Sequence, residues 1–464
     1  MIRIDLLPDD VLLEIFDFWV DMSSGCDDKS DKTLVEGWQP LVHVCRRWRS
    51  LVFGSPRRLD LKLYCTPDTP AKDTLDVWPA LPLVIAGTLA LSSSTDNVIA
   101  ALGKSNRVRE IALDGWKLGE VLAAMQAPFP ELMGLHLWSD DEAPVTVIPD
   151  SFWAGSAPRL RILTLNSISF PGLPKLLLSA THLVYLSLHS IPHSGYISPQ
   201  AIVALLSVLS SLEILYLEFR SPRSLPGRES PSLPPPKRSI PALAQFRFKG
   251  VIEYLEELVT RIDTPQLVEM EISFFNQIDY DCPRLAQFIN YPPTLRALDE
   301  AHVQFDDNTA SVDLGSRTSK FRFDNLLIDV SCREPDWQLS FIEQVCNWSL
   351  SPLSTVEVLY LDHQYSKLVW KNEAIENTLW LGLLLPFTAV KDLYLSNIFA
   401  PGIAAALQEF VGGRVSEVLP NLQNIFVERL ELSGSFQENI GQFVAARRLS
   451  DHPIAVSDWN EDSG

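Results

Sequence analysis

Apolar residues recur along most of the chain in one pattern, apolar-x-x-apolar-x-apolar. It is first clear at Val108/Ile111/Leu113 and returns at Leu132/Leu135/Leu137, Leu160/Leu163/Leu165, Leu183/Leu186/Leu188 and Leu212/Leu215/Leu217. It continues through Leu243/Phe246/Phe248, Leu267/Met270/Ile272, Phe323/Leu326/Ile328, Val356/Leu359/Leu361 and Val390/Leu393/Leu395 to Leu422/Ile425/Val427. Leu295/Leu298 is a degenerate member, with Glu300 in its third slot. The last two anchors lie two apart, the period of a strand with one face inward. Helical periodicity fills the intervals at Glu120–Gln126, Leu173–Ser179, Gln200–Leu209, Ile252–Ile262, Trp337–Trp348, Glu376–Leu385 and Gly402–Val411. A strand–helix unit with an apolar face cannot bury that face alone, so such units stack. The pattern therefore predicts an α/β solenoid, a curved array of parallel strands with helices outside, over residues 59–458.

The first anchors recur every 23 to 34 residues, near and above the length of a leucine-rich repeat. The asparagine expected after the third anchor stands only at Asn166 and Asn397, so the turns need another closure. Residues 221–241 hold seven prolines and read as a loop between repeats, with a polyproline ligand or phosphorylation target as the alternative. Residues 21–37 read as a flexible acidic insertion and 459–464 as a frayed tail.

Residues 1–58 follow a different rule. Pro8 starts a helix well, and Asp9 and Asp10 suit its positive end. Val11, Ile15 and Trp19 form one i, i+4 row, and Leu12 and Phe16 form its neighbour. Leu41, Val44, Cys45, Trp48, Leu51 and Val52 mark a second amphipathic helix, with Arg46, Arg47 and Arg49 on its other side. Such helices would serve as the cap that a repeat array needs.

The same residues carry a resemblance. LPDDVLLEIF at residues 7–16, followed by VCRRWR at residues 44–49, resembles an F-box, the helical module that docks on the Skp-type adaptor of cullin–RING ubiquitin ligases. Ser55–Leu59, Leu75–Leu83, Phe443–Arg448 and Ile454–Val456 extend the likeness to the F-box proteins expanded in mushroom-forming (basidiomycete) fungi. The insertion at 21–37 departs from the usual F-box, which has a compact connecting helix there. The resemblance implies a non-catalytic substrate receptor of an SCF-type ligase. Leu7, Pro8, Leu12, Ile15, Phe16, Val44 and Trp48 would contact the adaptor, and cullin through it, though some of them must hold the module's own core. The rival is a leucine-rich-repeat scaffold or inhibitor outside any ligase.

Charge and chemistry narrow the choice. Lysine and arginine number 38 against 58 acids, a net charge of −20, so a basic face for nucleic acid is not expected. The longest apolar run, Leu379–Val390, is 12 residues and contains Pro386, too short for a membrane span. The start is acidic where a signal peptide is apolar, and the six cysteines are scattered without a CxxC, which points to the cytoplasm or nucleus. No P-loop, dinucleotide fingerprint, HExxH or GxSxG is present, so neither enzyme chemistry nor a cofactor is expected. His182, His189 and His193 lie around a turn, and Ser139–Glu142 lacks calcium-loop spacing, so no metal is expected. Between the second and third anchors a residue points away from the core. These slots hold Tyr216, Tyr360, Tyr394 and Phe426, with Asp362 and Glu428 two residues beyond Tyr360 and Phe426. Aromatic rings on a rigid sheet favour a protein target. The acidic flanks favour an arginine-bearing one that would stack on the rings, unless inter-strand segments cover them.

Overall fold

The computed structural model describes residues 7–24, 38–90, 95–140, 145–149, 152, 156–171, 176–222, 237–277, 280–296, 298–317, 325–363, 373–409, 417–428 and 434–459. Residues 25–37 of the expected insertion, 223–236 of the proline-rich loop and 460–464 of the tail lie outside them. The chain forms two compact units, Met1–Tyr196 and Ile197–Gly464, so residues 1–58 share a unit with the first repeats.

The first unit starts with helices α1 (Asp9–Ser24), α2 (Gln39–Val44) and α3 (Arg46–Gly54). Strands β1 (Leu63–Cys65), β2 (Leu83–Leu89), β3 (Val108–Gly115), β4 (Gly134–Trp138), β5 (Thr146–Val147), β6 (Ile162–Asn166), β7 (Ile168–Ser169) and β8 (Tyr185–Ile191) follow. The main sheet runs β1-β2-β3-β4-β6-β8, parallel at every step, while β5 and β7 pair separately. Its register aligns the anchors, Ile111 with Leu135, Leu163 and Leu186, and Leu113 with Leu137, Leu165 and Leu188. All eight are buried. Strand β2 escaped the repeat pattern because Gly87 occupies its third slot, opposite Leu113. A Cβ at Gly87 would lie 2.7 Å from Pro67 Cδ, so the proline ring takes the place of the missing anchor. Main-chain bonds to the next strand close turns with or without asparagine. Ser139 N donates to Asn166 O and Ser167 N to His189 O; Ser167 follows β6 at φ 56°, and Ser190, near the end of β8, is at φ 47°.

The second unit carries β9 (Ile214–Phe219), β10 (Arg238–Ser239), β11 (Gln245–Gly250), β12 (Ile262–Asp263), β13 (Glu269–Phe275) and β14 (Glu300–Phe305). It continues with β15 (Thr309–Gly315), β16 (Leu326–Ser331), β17 (Val358–His363), β18 (Asp392–Leu395), β19 (Asn424–Glu428) and β20 (Ala455–Trp459). The sheet order is β9-β11-β13-β16-β15-β14-β17-β18-β19-β20. Helices Pro199–Leu206, Ile252–Val259, Pro335–Cys346, Glu373–Leu384 and Ala400–Gln408 stand where the periodicity placed them, with ends shifted by a few residues. Both units are thus mostly parallel sheets with helices between the strands, a leucine-rich-repeat-like α/β arrangement.

Four expectations need correction. The degenerate repeat is a full strand in a different frame. Ala301, Val303 and Phe305 of β14 are buried, with Leu298 as the first anchor, so Glu300 faces outward instead of failing as an anchor. The array is not wholly parallel, because β15 runs antiparallel to both β14 and β16. Trp459 is not frayed; it ends β20, in register with Glu428. The end of the proline-rich loop is also ordered, since Arg238–Ser239 pairs with Ile262–Asp263.

Gln338 ties the antiparallel insertion down. It is fully buried, and its Nε2 donates to Asp306 O at 2.8 Å, in the turn after β14, and to Cys332 O at 2.7 Å, just after β16. Replacing Gln338 with alanine leaves one buried and one half-buried carbonyl without this donor and opens a cavity. We expect a loss of about 2–4 kcal/mol, measured as an earlier urea transition of the second unit.

Candidate functional site

Two surfaces received the predicted site residues. The first is on α1–α3. Helix α1 starts after Pro8, whose carbonyl accepts from Leu12 N at 3.1 Å, and Asp9 and Asp10 occupy its first turn. Helix α3 is capped by Cys45, whose Sγ accepts from Trp48 N. Arg47 joins the two helices, donating to Leu7 O and Asp9 Oδ1, both at 2.6 Å. The Phe16 and Trp48 rings meet at 4.7 Å. On its other side the module is held to the first repeats. Trp38 Nε1 donates to Lys62 O at 2.9 Å, and Trp78 receives the rings of Trp38 and Phe53.

This packing sorts the expected contact residues. Leu12 and Phe16 are 0% exposed and form the module's own core, so they are not available for docking. Trp48 and Leu7 are half-buried, and Pro8 is exposed. Ile15 at 42% and Val44 at 58% remain exposed. Val11, Phe18 and Trp19, at 42, 67 and 53%, join Ile15 on the uncovered side of α1 but were not among the expected contacts. The signal was there, because Val11, Ile15 and Trp19 make the i, i+4 row beside the buried one.

The second surface is the outward face of the second unit. Register places one residue per strand in a single row, Tyr216, Arg247, Glu271, Leu327, Asp313, His302, Tyr360, Tyr394, Phe426 and Ser457. Tyr360, Tyr394 and Phe426 stack as their shared slot required, at 4.5 and 4.4 Å with ring planes within 20°. His302 extends the stack at 4.3 Å. It was missed because its repeat was read in the wrong frame. Trp459 lies against Tyr394 and Tyr360 at 5.4 and 6.1 Å. Tyr216 is six strands from Tyr360, roughly 29 Å at 4.8 Å per strand, and belongs to a separate cluster. There Arg247 sits 4.7 Å over the Tyr216 ring and pairs with Glu271 at 2.6 Å. Asp362 is half-buried and its Oδ1 accepts from His363 N, while Glu428 Oε2 accepts from Asn397 N at 3.4 Å.

The stack changes the chemistry expected of the ladder. Tyr360 is faced by His302 and Tyr394, and Tyr394 by Tyr360 and Phe426, so both ring faces of each tyrosine are taken. An arginine cannot stack on either. Ring edges and hydroxyls remain. Carboxylates stand around them. Glu300 Oε1 bonds His302 Nε2 at 2.8 Å, Arg317 Nε lies 4.0 Å from Glu300 Oε2, and Asn424 Nδ2 donates to Asp392 Oδ1 at 2.7 Å. Burial, with Glu300 and Tyr394 adding to it, pushes the Tyr360 hydroxyl up to about 12, and burial with Asp392 raises Tyr394.

On the first unit the matching outward row holds Ala112, His136, Thr164 and Ser187. His136 bonds Thr164 Oγ1 at 3.1 Å and stacks on Trp138, and burial lowers its pKa. Among the described residues no group of three His, Cys, Asp or Glu side chains could hold a metal ion, and no helix is long and apolar enough to cross a membrane.

No family model matches the chain, and no curated protein matches it significantly. Among solved structures, it is similar to the leucine-rich-repeat-containing protein LegL7 from Legionella pneumophila. The identity is 13%, the match covers 82% of this chain and 97% of that one, and the TM-score is 0.29.

The raised tyrosines make a pH prediction. The folded state resists ionising Tyr360 until about pH 12, whereas an unfolded tyrosine ionises near pH 10. The unfolded state therefore binds fewer protons between these values, and stability falls as pH rises through that window. Tyr360→Phe should lessen the fall between about pH 10 and 12 in denaturation curves, and remove one of the two tyrosines, Tyr280 being the other, that burial pushes up to about 12 in the ultraviolet titration.

Proposed function

We propose that this protein is a non-catalytic substrate receptor of a cullin–RING ubiquitin ligase, acting in the cytoplasm or nucleus. Helices α1–α3 dock on a Skp-type adaptor, and the outward face of the repeats holds a protein target. One observation carries the reading. Helix α1 buries Leu12 and Phe16 completely yet leaves Val11, Ile15, Phe18 and Trp19 exposed on one side. Clustered exposed apolar side chains of this size mark interaction surfaces. LPDDVLLEIF starts α1, and VCRRWR spans the extended break at Cys45 between α2 and α3, with Arg47 of α3 bonded to Leu7 and Asp9; this pairing supports the reading. Trp38, Phe53 and Trp78 would then fix the module on the first repeats.

A second reading rests on those same tryptophans. A module stapled to the first strands also serves as a cap, which leaves a repeat scaffold working outside any ligase.

The pair Val11→Ser with Ile15→Ser separates the two. Each replacement removes exposed apolar area without touching the core, so stability should change by no more than about 0.5 kcal/mol. If the receptor reading holds, affinity for a purified Skp-type adaptor falls by about tenfold or more. Unchanged adaptor binding leaves the scaffold.

A further inference from the structure

The sheet of the second unit ends on β20, which pairs with β19 on one side and, among the described residues, with no strand on the other. The bond from Ala455 N to Gln423 O at 2.9 Å fixes which peptide groups face that open side. Along a parallel strand, alternate residues turn their N–H and C=O to the same neighbour. Ala455 and Ser457 therefore bond toward β19, and Val456 turns both of its groups to the open edge. Its side chain is half open as well. Val456 stands in register with Ile425, a fully buried anchor, yet is 37% exposed, and Ala455 and Asp458 beside it are exposed. The buried row that runs through Leu359, Leu393 and Ile425 thus reaches the last strand uncovered.

The edge strand of the first unit is treated differently. Leu63 and Cys65 of β1 are buried, and Trp38 Nε1 bonds Lys62 O just before them. The chain covers that edge with its own helices and leaves β20 able to template another strand. The chemistry of the edge selects what covers it. Main-chain donors and acceptors spaced two residues apart are matched by an extended backbone, not by a helix. Charge selects among strands. Two copies of this chain, at −20 each, repel, whereas a cationic segment is attracted. Locally, β19, β20 and the turn at residues 450–454 carry Glu428, Asp451 and Asp458 and no lysine or arginine. Ser457 is the last residue of the outward row, and Trp459 packs on the Tyr360–Tyr394 stack, so an added strand continues the outward face.

We propose that β20 takes up the target protein by strand addition: an extended basic segment of the target pairs with the open edge and lays an aliphatic side chain over Val456. This rests on the target-holding role of the repeats and names the form in which the target is held. Main-chain bonds supply affinity with little regard to sequence, while the aliphatic residue over Val456 and the flanking cations supply selectivity. The sheet admits either chain direction, since β15 runs antiparallel to both of its neighbours.

The test uses the purified full chain and a fluorescein-labelled peptide, Lys-Thr-Val-Thr-Val-Thr-Lys, whose sequence reads the same in both directions. Anisotropy is read near physiological salt, where long-range attraction to an acidic protein is screened. A copy N-methylated at its valines and central threonine keeps the charge but loses the main-chain donors, and should bind about tenfold more weakly or worse. A copy with glutamate for lysine should lose about tenfold as well. On the protein, Val456→Pro removes a donor that faces the open edge and leaves the bonds of Ala455 and Ser457 to β19. It should cost about tenfold in peptide affinity with an unchanged urea transition, while Val456→Ile binds as the wild type does. Where the proline variant unfolds early, the N-methylated copy on the wild type decides. Equal binding of the N-methylated copy, of the glutamate copy, or by a folded Val456→Pro variant would overturn the proposal. So would a dimer in sedimentation that Val456→Pro abolishes, because a second copy would then hold the edge. Adaptor binding measured on the same samples keeps the two claims apart, since its retention confines the failure to β20.

Discussion

Everything in the sheets depends on one constraint. Each strand presents a row of two or three apolar side chains that only neighbouring strands and the intervening helices can bury. Ile111, Leu135, Leu163 and Leu186 are buried because they stand in register on adjacent parallel strands. Parallel hydrogen bonding with a period of two then leaves no freedom for the other face. Whatever occupies the outward slot on one strand lies beside the outward slot of the next. The ring stack from His302 to Phe426 follows from that alignment, as does the contact of Arg247 with both Tyr216 and Glu271.

The β14–β15–β16 excursion shows how much irregularity the constraint tolerates. An antiparallel strand enters the array without breaking it, since Ala310, Val312 and Leu314 supply the same buried row from the opposite chain direction. Gln338 satisfies main-chain carbonyls in the β14–β15 turn and just after β16. The functional effect is local. The excursion places β14 beside β17, which stacks His302 on Tyr360 and brings Glu300 near it.

The N-terminal helices solve a different problem with the same physics. Helix α1 carries more apolar surface than a two-helix core can bury. Leu12 and Phe16 are consumed inside the module, while Trp38 and Phe53 tie it to Trp78. Val11, Ile15, Phe18 and Trp19 remain exposed, an arrangement suited to a surface that meets something else.

How much was legible in the residues follows from how local each cause is. Periodicity alone placed β3, β4, β6, β8, β9, β11, β13, β16, β17, β18 and β19, most helices, the two rows on α1 and the stacking of Tyr360, Tyr394 and Phe426, because register is a short-range consequence of repeat spacing. It failed where a side chain's place was taken by something distant, as with Pro67 filling in for an anchor at Gly87, or where one glutamate in an anchor slot concealed a shift of frame at β14. Tertiary structure alone decided which apolar row of α1 is covered, since Phe16 is buried by Trp48 from thirty residues away. It alone decided that ring faces in the ladder are closed to an incoming cation, and that His302, Trp459, Glu300 and Arg317 gather around it. Those positions depend on which strands become neighbours. Strand order in a sheet is set by the summed burial of the whole array, which no short window of sequence contains.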